Sequence, residues 1–123
     1  LCRRRSTPFL YHSDGVLYEV LDDLIALGVN GLHPVEPKSM DLAELKQRVG
    51  GRLALLGHIE VDTLARGTPE DVERLVRTAL LKGAPGGGYA IGSSNSLPEY
   101  CKWENYLTML QAADRWGRYP LTL

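Results

Sequence analysis

All three histidines of the chain follow a short apolar run, and each is accompanied by further polar residues. Pro8-Phe9-Leu10-Tyr11-His12 leads into Ser13-Asp14-Gly15. Gly31-Leu32-His33-Pro34-Val35 leads into Glu36-Pro37. Leu53-Ala54-Leu55-Leu56-Gly57 leads into His58-Ile59-Glu60. A fourth run, Gly88-Tyr89-Ala90-Ile91-Gly92, leads into Ser93-Ser94-Asn95-Ser96. Imidazole exchanges protons near neutral pH and also ligates metals, so histidines gathered at one place suggest acid–base or metal chemistry. His12, Asp14 and Asn95 are the candidate catalytic groups, and His33, Glu36, His58 and Ser93 are candidates for substrate binding. Each residue also has a structural alternative. Asp14 is a preferred helix N-cap. Ser93, Ser94 and Asn95 are ordinary turn formers. Glu60 reads as a solvated loop carboxylate.

Those residues form one site only if the runs are neighbouring strands in register. Each run is brief, apolar and bounded by Gly or Pro, the pattern of a strand buried on both faces. A helical pattern follows each one. Val16, Leu17, Val20, Leu21, Leu24 and Ile25 share a face ahead of Gly28, which suits a left-handed helix end. Asp41 and Glu44 mark a helix start with Leu42, Leu45 and Val49 turned inward. Thr68-Pro69-Glu70-Asp71 opens another helix, whose stripe is Val72, Leu75, Val76, Ala79 and Leu80. Trp103 to Trp116 completes the series with Leu107, Leu110 and Ala113 aligned, closed by Gly117. The order β-α-β-α-β-α-β-α predicts a parallel sheet with right-handed crossovers, and in such folds ligands bind at the C-terminal strand ends. The expectation is that His12, Asp14, His33, Glu36, His58 and Asn95 converge on one rim. Lys46, Arg52 and Lys82 are then expected at or near the other rim. Asp14 and Glu36 should lie close enough to repel.

A formal net charge of −1 argues against nucleic acid, whose phosphates demand excess Lys and Arg. Arg3-Arg4-Arg5 reads as a solvated edge. Cys2 and Cys101 have no finger spacing, so no structural zinc site is expected, and the absence of a disulfide framework fits a reducing cytoplasm. No apolar run suits a bilayer span. No phosphate-binding G-x-G-x-x-G follows the first run, and Gly86-Gly87-Gly88 reads as a flexible turn. The chain, opening on Leu1 rather than Met, is read as a fragment.

Several stretches recur together in one known family. They are His12-Ser13-Asp14-Gly15, Leu21-Asp22-Asp23-Leu24-Ile25 with Gly28, Pro34-Val35-Glu36-Pro37, Met40-Asp41-Leu42, Gly67-Thr68-Pro69-Glu70-Asp71-Val72, Gly87-Gly88-Tyr89, Glu104-Asn105-Tyr106 and Trp116-Gly117 with Tyr119-Pro120. Their order and spacing resemble the uroporphyrinogen decarboxylase superfamily from about Pro8 to Pro120. The resemblance implies an α/β fold, with residues 1–123 forming the C-terminal half, four βα units, of a (β/α)8 TIM barrel. It implies an enzyme, a carboxy-lyase that removes carboxyl groups from a tetrapyrrole without a cofactor, of which this chain is a fragment expected to be inactive alone. It further implies a cytoplasmic homo-oligomer when full length. The alternatives are a corrinoid-dependent methyltransferase, which would use zinc and a corrinoid protein, and a non-catalytic binding module. The superfamily's methyltransferases carry His-x-Cys at the first of these strand ends and a second Cys at the last. His12 matches that histidine, but Asp14 and Asn95 stand where the two thiols would be. The decarboxylases carry a His in the last loop, again at the position of Asn95. Their principal catalytic Asp and carboxylate-binding Arg residues belong to the other half of the barrel.

Overall fold

The computed structural model describes residues 1–121. Four parallel strands form one sheet in the order β1-β2-β3-β4: Leu10–His12, Gly31–His33, Ala54–Ile59 and Tyr89–Ser93. Leu10 pairs with Gly31, Gly31 with Ala54 and Leu55 with Tyr89, so sequential strands are spatial neighbours throughout. Helices α1 (Leu21–Leu27), α2 (Leu42–Val49), α3 (Val61–Arg66), α4 (Pro69–Gly83) and α5 (Trp103–Trp116) connect or follow them. The sheet is the four-unit parallel arrangement of a partial (β/α)8 barrel.

Local chemistry sets the helix boundaries. Asp41 caps α2 by accepting from the backbone N–H groups of Ala43 and Glu44, at 2.9 and 3.0 Å. Glu44 does not complete a capping box; its carboxylate instead takes Arg48 one turn on. Thr68 and Asp71 do form a reciprocal box at the start of α4, with Pro69 in the first turn. These contacts satisfy N–H groups that a helix start leaves without partners. Gly28 closes α1 at φ +96, a conformation cheap only for glycine.

The core lies between the sheet and its helices. Leu32, Leu55 and Ile59 pack with Leu42, Leu45, Val49, Leu64, Val72 and Val76, all essentially inaccessible to water. Three sequence expectations change here. The first helix is shorter than its apolar stripe: Val16 and Val20 precede it and are exposed, and of the six residues expected to share its face only Leu21 is fully buried. α3 occupies a stretch read as loop. In α5 the buried face is Asn105, Met109 and Ala112, while Leu110 is 46% exposed. The helix is rotated from the Leu107–Leu110–Ala113 stripe because Asn105 must reach the end of α3. Its side-chain amide donates to the carbonyls of Thr63, Leu64 and Gly67 at 3.0–3.3 Å.

Candidate functional site

At the C-terminal end of β1, the His12 ring meets the His33 ring at the end of β2, the residue opposite it in register. Their Nδ1 atoms are 2.9 Å apart and their centroids 4.8 Å apart. The backbone N–H of Ser13 donates to the His33 carbonyl, which ties the β1 loop to β2. Asp14 follows, with Oδ1 4.0 Å from His12 Nε2. That same Oδ1 accepts a 3.1 Å hydrogen bond from the Asn95 side-chain amide, 81 residues away in the chain. Asn95 lies beyond β4, so the loops of the two outermost strands meet across the ends of β2 and β3. The Asn95 carbonyl oxygen is held in turn by the N–H of Ser96, and the Ser93 hydroxyl donates to the Asn95 main-chain carbonyl at 2.6 Å. His12, Asp14, His33, Ser93 and Asn95 therefore occupy one rim.

Glu36 lies on the same side but in an adjoining cleft of about 350 Å³, whose walls include Lys38, Glu60, Asp62, Asn95 and Ser96. Asp14 and Glu36, expected to face one another, have separate hydrogen-bond partners. Asp14 takes the Asn95 amide, whereas Glu36 accepts from the Ser39 hydroxyl at 3.0 Å. Lys38 bridges Glu60 and Asp62 at 3.0 and 2.9 Å, and these two carboxylates push its pKa up to about 12. Neither Lys38 nor Asp62 was flagged by the sequence, since both sit outside the apolar runs and α3 went unrecognised. Glu60, read as a solvated carboxylate, is an ion-pair partner.

His58 does not join the cluster. Its φ of +81 turns the side chain aside, and Nδ1 contacts the Val35 carbonyl at 2.9 Å. Burial holds its pKa below the usual histidine value. The Lys82 charge acts in the same direction, and the Val35 carbonyl and Asp41 oppose it. At the other rim, Lys46 reaches the Gly87 carbonyl ahead of β4, and Arg52 pairs with Asp22 at 2.9 Å. Lys82, also expected there, instead carries its ammonium to Asp41 at the start of α2, 2.8 Å away.

A sheet whose outer loops meet over polar strand ends is what a barrel enzyme uses at its mouth. A family model for uroporphyrinogen decarboxylase matches residues 2–116. The chain belongs to this family. Among solved structures, a methyltransferase from Methanosarcina mazei superposes with a TM-score of 0.72 at 24% identity, over 91% of this chain and 32% of that one. The chain thus spans about a third of the length of that structure. No curated protein sequence matches it.

The zinc associated with some members of the superfamily can be tested against these side chains. Asn95 spends its amide nitrogen on Asp14, and no thiol stands beside His12. Cys101, preceding α5, has its pKa raised by burial, which disfavours the thiolate a metal needs. Among the described residues no three His, Cys, Asp or Glu side chains are grouped to hold a metal ion. The residues present do not fit a thiolate zinc centre. Among the same residues no helix is long and apolar enough to cross a membrane.

Proposed function

We propose that this chain supplies four βα units to a decarboxylase-type enzyme, a carboxy-lyase acting on a tetrapyrrole carboxylate in porphyrin biosynthesis. The observation that carries this reading is the His33–His12–Asp14–Asn95 cluster, which offers proton-exchanging rings, a carboxylate and an amide without a thiolate. In loss of CO₂ from an acetate on a pyrrole, a nearby carboxylate stabilises positive charge developing on the protonated ring. Asp14 supplies that charge. Asn95 holds Asp14 in place, and Ser93 lies beside them to hold polar substituents. The carboxylate-binding Arg residues would come from the remaining βα units.

A second reading is methyl transfer from a corrinoid protein, and it is supported by the fold shared with the Methanosarcina methyltransferase. It would have to activate its acceptor without thiolates at the Asp14 and Asn95 positions. The experiment that separates the two uses the full-length protein. CO₂ release from uroporphyrinogen, with no methyl transfer from methylcobalamin to a thiol, supports the decarboxylase. The opposite pattern establishes methyl transfer.

A further inference from the structure

The contacts among His33, His12 and Asp14 have a direction. An Nδ1-to-Nδ1 hydrogen bond needs one ring to donate and the other to accept, so the two rings hold complementary tautomers. Asp14, when ionised, can only attract a proton, and it faces His12 Nε2. At 4.0 Å the carboxylate acts on the ring by charge rather than by a hydrogen bond, and that attraction favours the His12 hydrogen on Nε2, with Nδ1 as the acceptor. His33 must then carry its hydrogen on Nδ1, and its Nε2 is a free lone pair. His33 also lines a hollow of about 290 Å³ on the sheet, with Leu56, Gly92 and Ser93 among its walls. Asn95, by donating to Asp14 Oδ1, fixes the carboxylate that orders the chain.

From this geometry we infer that His33, rather than His12, is the proton-exchanging catalytic residue, with His12 as the positioning residue behind it and Asp14 setting the His12 tautomer in addition to its charge-stabilising role toward the substrate. The inference deepens the decarboxylase reading and rests on it for the reaction. Cleavage of the C–C bond releases CO₂ and leaves the bonding electron pair on the substrate carbon. His33 first takes up a proton from solvent on Nε2; the imidazolium then passes that proton to the carbon and returns to the neutral Nδ1–H ring, so each turnover consumes one proton. Burial and the neighbouring His12 ring hold the His33 pKa below the ordinary histidine value, Asp14 opposing them; the protonated ring is therefore a stronger acid. His12 and Asp14 are the ionisable groups acting on His33 among the described residues.

The test is ¹⁵N NMR of the full-length protein labelled at histidine, above the pH of histidine titration, with His33→Gln and His12→Asn variants assigning the signals. Expected are an Nδ1–H tautomer at His33 and an Nε2–H tautomer at His12. The reverse assignment, or averaging of either ring between tautomers, overturns the inference. This readout stands whatever reaction the protein catalyses, so its failure is separable from failure of the decarboxylase reading. If CO₂ release is found, His33→Gln lowers kcat by about 10²-fold or more with little change in KM, as loss of an acid–base group does. His12→Asn, whose amide still meets Nδ1 of His33, loses less. Equal losses contradict the proposed division of roles.

Discussion

Asp14 and Asn95 are far apart in the chain and on opposite edges of the sheet, yet they share a hydrogen bond, and that pair defines the rim. Their grouping with His12 was legible in the sequence because parallel strands in register bring their C-terminal ends together. His58 was not separable from the others on the same logic. Its departure comes from one backbone angle, φ +81, which no residue type announces. Two predictions belong here. An Asp14→Cys/Asn95→Cys double variant restores the thiol positions beside His12, and it should acquire stoichiometric zinc by elemental analysis where the parent does not. The second concerns pH. The folded-state pKa of His58 is depressed, so between that value and the unfolded value of about 6.5 the unfolded chain binds more protons. Stability from this residue is full above that window and falls as pH drops through it. A His58→Asn variant, in which asparagine tolerates the left-handed backbone, should show a flatter dependence of unfolding midpoint on pH. An unchanged slope would remove His58 as the cause.

Among the elements, those with strong end signals were read well and those without were missed. α4 carries a full capping box and α5 runs from Trp103 to Trp116 as its pattern predicts. Thr68→Ala should cost about 1 kcal/mol in denaturant unfolding, the usual worth of such a cap. α3 escaped because six residues with no side-chain cap give too short a period to detect. Its C-terminal carbonyls depend on Asn105, which is fully buried on a face that the apolar stripe Leu107, Leu110 and Ala113 did not mark. Asn105→Ala should therefore destabilise by about 1–3 kcal/mol, the cost of stranding buried carbonyls. A change below a few tenths would mean that α3 holds itself. The rotation of α5 has the same origin: a polar side chain, invisible to an apolar count, decides which face turns inward.

For the whole molecule, alternation of strands and helices specified the parallel sheet and its order, and the family match agrees with that architecture. β1 and β4 each pair on one side only in the described sheet, with Leu10 56% exposed along the first edge and Leu110 46% exposed beside the last. Free strand edges of this kind invite further pairing. The 123-residue chain alone should accordingly self-associate with rising concentration in sedimentation, and a monodisperse, cooperatively melting monomer would contradict this. Function makes a sharper demand, because the account requires loops from the two outermost strands to act as one site. The direct measurement is a double-mutant cycle on kcat/KM for CO₂ release by the full-length enzyme, using Asp14→Ala, Asn95→Ala and their combination. Residues in contact couple by about 0.5–3 kcal/mol, so the double variant should lose clearly less than the sum of the single losses. Strictly additive losses would mean that Asp14 and Asn95 do not work together and that the strand ends do not form a single catalytic rim.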